Sequence, residues 1–236
     1  MCTGRTHALS GVVAGLASGS LALHEPAAPL ALFAGLVTAY ALAPDIDSCG
    51  STEARSLGFV TEAFAWIIRT VSGGHRHGTH SALGVAAFAG AAWIACLFRH
   101  DWPGRIALFL ILAAGFAAAL DALRIGGHPG NIAALAGAAA MAWTGYGLAL
   151  VPLAAALGCS THLAGDGLTK CGVPLLWPAT MHEFHLTPRL LWFTTGHWPE
   201  RFIVTPVLLL ALGLLCWHDA GTLTLAPHVR TAIGAP

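Results

Sequence analysis

Histidine and aspartate residues gather in four short clusters of an otherwise apolar chain. The clusters are Thr6-His7, Pro44-Asp45-Ile46-Asp47, the run from His75 to Ser81 (His-Arg-His-Gly-Thr-His-Ser), and the run from Ser160 to Asp166, which contains His162. Imidazole nitrogens and carboxylate oxygens are common ligands of divalent transition metals. In apolar surroundings such groups are costly and need partners, so they are candidates for function. The four clusters therefore predict a metal site.

The spacing within the clusters supports this prediction. His162 and Asp166 are four residues apart, so on a helix they share one face and can bind one metal ion. Asp45 and Asp47 are expected in an extended segment, where both side chains project to the same side after Pro44 has ended a helix. A divalent cation would relieve the repulsion between these two carboxylates. Thr79 is expected to cap the helix that follows, which places His80 in its first turn.

The composition indicates a membrane protein. Of the 236 residues, 56% are hydrophobic and 9% are charged, whereas soluble domains have about 25% charged residues. One soluble core of this size cannot bury so much apolar surface, so lipid must solvate part of it. The formal net charge of zero argues against nucleic acid as a partner.

Long apolar segments separate the clusters and predict the helices that position them. These segments are Ala8–Leu23, Ala27–Ala43, Ala82–Phe98, Ile106–Leu120, Asn131–Gly158 and Phe202–Trp217. Their high content of Ala and Gly favours close approach of helices in a bilayer. We predict an all-α, polytopic bundle of about five to seven spans, formed by a single domain over residues 1–236. Arg5 and the Ser20-Leu21-Ala22 stretch are similar to a signal peptide, but we expect the segment to be retained because His7 opens it.

The order of the spans determines whether the clusters can meet. Two spans bring the chain from His7 back to the same side at Asp45, and the polar loop 48–81 stays on that side. After two more spans, His162 lies on this side only if residues 131–158 cross twice or re-enter. The break at Trp143-Thr144-Gly145-Tyr146 permits a second crossing.

In their order and spacing, these clusters resemble the YdjM family of LexA-regulated, membrane-bound, metal-dependent hydrolases. The shared pattern is Thr-His, then Pro-Asp-Ile-Asp, then His-Arg-x-x-Thr-His-Ser, then Ser-x-His-x-x-x-Asp, and it is followed here by Gly172 to Pro178 and by the Thr194 to Glu200 stretch. The chain departs from the pattern at His77, where the family commonly has Gly; His77 adds a possible ligand. Residues 182–185 lie outside the pattern and are expected to form an interfacial helix rather than an outer part of the metal site.

The resemblance implies a hydrolase with a mono- or dinuclear metal site. The predicted ligands are His7, Asp45, Asp47, His80, His162 and Asp166, and His75 is a further candidate. Mixed nitrogen and oxygen ligands suit Zn²⁺, Mn²⁺ or Fe²⁺. Asp47 or His75 is expected to act as general base, and Arg76 to hold an anionic phosphate or carboxylate. The ligand types are also similar to those of zinc-dependent phospholipases C.

A site at a membrane face favours a lipid-linked or phosphorylated substrate with an ester or phosphoester bond. Two other functions remain open: a divalent-cation or proton transporter, and a silent scaffold held together by its metal. With seven crossings, eight of the 11 Lys and Arg residues fall on the side of the site, which predicts a cytoplasmic site in a bacterial inner membrane. The oligomeric state is left open.

Overall fold

A computed structural model describes residues 3–22 and 27–232, and these residues contain no β-strand. The prediction of an all-α fold is confirmed. The α-helices are α1 (Gly4–Ala17), α2 (Ala27–Tyr40), α3 (Thr52–Arg55), α4 (Phe59–Val71), α5 (Ala82–Leu97), α6 (Trp102–Ala122), α7 (Gly127–Thr144), α8 (Val151–Gly167) and α9 (Thr205–Ala232). Short π-helical segments extend α1 over Ser18–Ala22 and precede α9 over Glu200–Val204.

Several helices are long and apolar enough to cross a bilayer. In the described part of the chain, four segments meet this requirement: Pro29–Asp47, Trp102–Ala122, Leu148–Gly167 and Glu200–Asp219. The apolar helix α5 is shorter. Of an 18-residue apolar stretch within Pro29–Asp47, 67% is buried, whereas the corresponding stretch within Glu200–Asp219 is 0% buried. The α2 segment therefore lies at the centre of the bundle, and α9 lies at its edge.

The long apolar segment 131–158 forms two helices rather than one. Helix α7 ends at Thr144, and Gly145 and Gly147 have φ values of 79° and 73°. Glycine adopts this left-handed backbone without the steric cost of a Cβ atom. The chain then turns through Leu148–Leu150 into α8. The break expected at Trp143–Tyr146 is present, and it places His162 at the same end of the bundle as His7 and Asp45.

Glycines allow helices α1, α2 and α8 to pack backbone against backbone. A Cβ atom on Gly15 would lie 2.6 Å from Ala34 Cα, and one on Gly158 would lie 2.5 Å from Val37 O. Only glycine permits such close approach, as the Ala- and Gly-rich segments predicted. These three helices carry His7, the turn with Asp45, and His162, so their packing brings the clusters together.

The connection from residue 168 to residue 199 packs beside the start of α5. The backbone N–H of Ala82 donates a hydrogen bond of 2.9 Å to Leu175 O. The expectation of a helix at 182–185 is wrong: this segment is extended, and Phe184 exchanges two backbone hydrogen bonds with Val173, of 3.0 and 2.8 Å. The pairing satisfies backbone groups that a helix of only four residues would have left open.

Candidate metal centre

Helix ends from four parts of the chain converge on one buried cluster. His7 lies in the first turn of α1, Asp45 follows α2, His80 precedes α5, and His162 and Asp166 lie in the last turns of α8. Each of these residues is at most 5% exposed. The start of α1, the end of α2, the start of α5 and the end of α8 therefore lie at the same end of the bundle. Asp47 is also buried beside them.

Asp45 and Asp47 lie in a 3₁₀ turn, so the expectation of an extended segment is wrong. The turn covers Ala43–Asp47, with Pro44 in its first positions. The proline ring fixes φ near the helical value, and Asp45 N donates to Leu42 O at 3.1 Å. Both carboxylates nevertheless face the cluster, because each lies within 4 Å of a nitrogen of the His80 ring.

Thr79 does not cap α5 as predicted. Ser81 is the cap, and its Oγ accepts a hydrogen bond of 3.1 Å from Gly84 N. Gly78–His80 forms a separate 3₁₀ turn. The Thr79 hydroxyl is thereby free to donate to Asp47 Oδ2 at 2.5 Å. Thr79 thus connects an aspartate to His80 instead of starting a helix.

Two histidine nitrogens and two carboxylate oxygens lie close together, at distances near those between the ligands of one metal ion. His80 Nε2 lies 3.3 Å from His162 Nε2, 3.4 Å from Asp45 Oδ1 and 3.8 Å from Asp166 Oδ2. His162 Nε2 lies 3.8 Å from Asp45 Oδ1 and 3.9 Å from Asp166 Oδ2. Metal bonds of about 2.0–2.2 Å place tetrahedral ligands about 3.3–3.6 Å apart. These five distances, each of which involves a histidine nitrogen, match these values or exceed them slightly.

The hydrogen bonds of both imidazoles direct lone pairs towards this group of atoms. His162 Nδ1 lies 2.8 Å from Ala41 O, so it must carry the proton that it donates to this carbonyl. His80 Nδ1 lies 2.9 Å from Thr79 Oγ1, whose own proton is donated to Asp47. In each neutral ring, Nε2 is then unprotonated. Two lone pairs face each other at 3.3 Å, an arrangement that a bound cation would stabilise.

Other buried polar atoms in the cluster also lack hydrogen-bond partners. Nδ1 of His7 and Oδ1 of Asp45 are buried and make no hydrogen bond. His7 stacks on His162 with ring centroids 3.7 Å apart, and its Nε2 lies 3.2 Å from Asp166 Oδ1. Buried polar groups without partners are costly. The side chains present therefore fit a divalent cation.

Asp47 is surrounded by hydrogen-bond donors. His75 Nδ1 lies 2.6 Å from its Oδ1, and Arg76 N and the Thr79 hydroxyl donate to its Oδ2 at 3.1 and 2.5 Å. The imidazole of His75 is 26% exposed, unlike that of His80. Asp47 and His75 thus form a hydrogen-bonded pair between the buried cluster and the solvent.

Arg76 is held in an unfavourable backbone conformation at the edge of the cluster. Its φ is 65°, a value uncommon outside glycine. The guanidinium binds Asp166 Oδ2 at 2.6 Å, and Nε is buried without a hydrogen-bond partner. Burial alone would lower the pKa of Arg76, but the charge and hydrogen bond of Asp166 raise it above its usual value. The side chain is therefore a permanent cation with an unused donor.

The remaining histidines near the cluster point elsewhere. His77, considered as an extra ligand, lies with Nδ1 2.5 Å from Gly73 O. His185 stacks on Trp192 with centroids 3.6 Å apart, and His182 packs edge-on against Phe184.

Three overlapping groups of the described residues could hold a metal ion: His7 with His162 and Asp166, Asp45 with His80 and His162, and Asp45 with Asp47 and His75.

Glu200 was placed in a family segment by its sequence, but its structural role was missed. It is 1% exposed and accepts hydrogen bonds from Thr3 N, the Thr6 hydroxyl and Gly196 N, each of 2.6 Å. Glu200 thus ties the start of α9 to the first turn of α1, which carries His7. The sequence signal was a carboxylate at the edge of an apolar segment, the same signal that identified the aspartates.

Comparison with known proteins gives one family match. A family model described as YdjM inner membrane protein matches residues 1–222. No curated protein and no solved structure gives a match.

Proposed function

Because this chain belongs to the YdjM family of inner membrane proteins, we propose that it is a membrane-embedded, metal-dependent hydrolase. The observation that carries the proposal is that His80 Nε2 and His162 Nε2 lie 3.3 Å apart, each within 3.9 Å of the buried carboxylates of Asp45 and Asp166. Burying ionisable groups in a membrane protein costs free energy, so clusters of such groups mark sites of catalysis or transport.

The proposed ligands of the principal metal ion are Asp45, His80, His162 and Asp166. His7 stacks on His162 and would be close enough to join the ligands. The mixture of imidazole and carboxylate favours Zn²⁺, with Mn²⁺ and Fe²⁺ as alternatives. We assign Asp47 an orienting role, since donors occupy both of its oxygens; it would become a ligand if a second ion binds with His75.

When bound, the metal would lower the pKa of a water molecule and polarise the bond to be cleaved. His75 is the proposed general base, because it is partly exposed and Asp47 fixes its Nδ1 as the protonated nitrogen. Nε2 of His75 then accepts the proton of the attacking water. Arg76 binds the anionic group of the substrate through the donors that Asp166 does not use.

The site lies at the ends of spans, which favours a substrate that reaches it from the membrane surface. We propose an ester or phosphoester of a lipid-linked or phosphorylated small molecule. A transporter would place its ionisable residues near the middle of the spans, whereas Asp45 follows α2 and Asp166 lies in the last turn of α8. The site position therefore favours an enzyme over a divalent-cation or proton transporter.

A His75→Ala variant tests the general base. We expect the purified variant to retain its metal, as measured by elemental analysis. Its turnover of the phosphodiester or lipid ester that the wild type cleaves should be about 10²–10⁴-fold lower. His77→Ala is the control, because His77 neighbours the site but contacts Gly73, and its activity should match that of the wild type. A metal-loaded wild type without hydrolysis of any such ester would favour the scaffold, and metal uptake by proteoliposomes would favour the transporter.

A further inference from the structure

Helix α4 presents an apolar face that no described side chain covers. Val60, Phe64, Ile67 and Val71 follow the i, i+4, i+7, i+11 spacing of one helix face and are 41%, 50%, 51% and 78% exposed. Phe202 and Leu210 at the outer edge of the bundle have comparable exposures of 74% and 64%. The exposed face of α4 thus resembles a surface that contacts lipid.

The other faces of α4 have different environments. Thr61 and Ala65 are each 4% exposed, and the helix packs on the Ala43–Asp47 turn and on α3. Glu62 and Arg69, seven residues apart, lie opposite the apolar face and are exposed. Trp66 is 66% exposed and lies between the apolar and charged faces, the position that tryptophan favours at a membrane interface. Helix α4 is therefore amphipathic, with its apolar side turned away from the protein.

Length and connections prevent α4 from crossing the bilayer. Its 13 residues extend about 20 Å, less than the hydrocarbon core of about 30 Å. The Asp45–Asp47 turn before it and the Gly78–His80 turn after it contact each other, so the chain leaves the site and returns to it. Arg69 also donates to Asp47 O at 3.2 Å. The helix stays at the membrane face that contains the metal cluster.

We propose that α4 is an interfacial helix whose apolar face lies among the headgroups and upper acyl chains of the same bilayer. Its packing partner is the turn that ends the Pro29–Asp47 span, so the helix lies at the level where that span reaches the membrane face. Amphipathic helices with a charged face and interfacial tryptophan bind membranes in this way. Because Arg69 of α4 donates a hydrogen bond to Asp47 O, fixing the helix at the bilayer surface would also restrain the backbone of Asp47. The proposal does not depend on the reaction that the site catalyses.

Spin labelling measures the surroundings of α4 directly. Every native cysteine except buried Cys159 is replaced, and a nitroxide is attached at Phe64→Cys or Ile67→Cys on the apolar face, or at Glu62→Cys on the opposite face. The full chain is reconstituted into phosphatidylethanolamine and phosphatidylglycerol vesicles. Collision rates with oxygen, which partitions into lipid, and with a water-soluble nickel chelate are measured. Leu210→Cys on α9 supplies the lipid-facing reference.

We expect a several-fold higher ratio of oxygen to nickel collisions at positions 64 and 67 than at position 62, with values approaching those at position 210. Equal, water-like ratios at positions 62, 64 and 67 would overturn the proposal. Low collision rates with both reagents at positions 64 and 67 would also overturn it, because they indicate burial against a second copy or another protein. Correct folding is checked by the label at position 210 and by the failure of Cys159 to react.

Discussion

The two aspartates of the Ala43–Asp47 turn have different surroundings, and this difference separates their roles. Oδ1 of Asp45 is buried without a hydrogen bond and faces the Nε2 atoms of His80 and His162 at 3.4 and 3.8 Å. Both oxygens of Asp47 accept hydrogen bonds from side chains or backbone. An acceptor that already has donors gains less from a cation than one that has none.

Replacing each aspartate by asparagine distinguishes a ligand from an orienting residue. Asp45→Asn is expected to remove the metal from purified protein, because an amide oxygen is a weaker ligand for these cations. Asp47→Asn is expected to retain metal with an affinity about 10–100-fold lower, the usual effect of losing a residue that orients a ligand. Both are measured by elemental analysis and by competition with a chelator. Equal loss of metal in the two variants would show that Asp47 is a ligand.

Glu53 is a buried carboxyl group outside the proposed ligands. Its Oε1 has no hydrogen-bond partner, and burial, aided by the charges of Asp45 and Asp121, raises its pKa from 4.5 to about 8. Between these two pH values the folded protein keeps a proton that the unfolded protein releases. Stability contributed at this position therefore falls as pH rises from about 4.5 to about 8, by up to roughly 1.4 kcal/mol per pH unit.

We expect Glu53→Gln to flatten the decline in stability across pH 5–8, measured as the unfolding midpoint in detergent. The exposed Glu183→Gln serves as the control and should keep the wild-type slope. Titration of the metal cluster affects all three proteins, so only the difference between their slopes is interpreted. Parallel curves for all three would contradict the assignment to Glu53.

Close packing of α1, α2 and α8 determines the distances within the metal cluster. Gly158 lies one turn before His162 on α8, and a Cβ atom there would meet Val37 O at 2.5 Å and Ala41 N at 2.8 Å. Ala41 O also accepts the hydrogen bond from His162 Nδ1. The contact that requires glycine is thus adjacent to the one that orients His162, so we expect helix separation to affect metal binding.

Gly158→Ala should destabilise the protein and weaken metal binding together. Backbone atoms cannot move aside as a flexible side chain can, so we expect a cost of roughly 1–3 kcal/mol in unfolding free energy. Gly137→Ala on α7 is the matched control, because a Cβ atom there has no neighbour within 4 Å and alanine favours helix by up to about 1 kcal/mol. Unfolding in detergent and chelator competition measure the two effects. Unchanged metal affinity in Gly158→Ala would show that the coupling is absent.

Hydropathy and residue type were sufficient to predict the helical bundle and the meeting of the His and Asp clusters. A bilayer requires long apolar helices and disfavours unpaired charges. Apolar segments and the rare polar clusters between them can therefore be recognised in a single sequence. Backbone detail was predicted less well, because the 3₁₀ turn at Asp45 and the Ser81 cap depend on local hydrogen bonds that compete closely.

Helix α4 was hidden within a segment interpreted as a polar loop. Its apolar positions follow helical spacing, but the helix is shorter than a membrane span and its apolar residues alternate with polar ones. A search for the 3.6-residue period would have found it. The Glu200 hydrogen bonds to Thr3 and Thr6 join residues nearly 200 positions apart, and no local pattern predicts such a contact.

We predict the orientation of the whole bundle in the membrane from the distribution of its positive charge. Lys170, Arg55, Arg69 and Arg76 lie in the connections at the site end of the bundle, whereas Arg99 and Arg105 lie at the α5–α6 turn. Positive residues in short loops remain in the cytoplasm, so we predict that the metal site faces the cytoplasm. The exposed Cys49 and Cys171 provide native probes at the site end.

In a background without other reactive cysteines, a membrane-impermeant maleimide should label Cys49 and Cys171 only after the inner membrane is permeabilised. A cysteine introduced at His100 in the α5–α6 turn is the opposite control and should react in spheroplasts without permeabilisation. This pattern is expected because the two groups of positions lie at opposite ends of α5 and α6, whose crossing separates the compartments. Labelling of Cys49 in intact spheroplasts, with His100→Cys protected, would place the site outside. The substrate would then have to reach the site from the outer leaflet rather than from the cytosol.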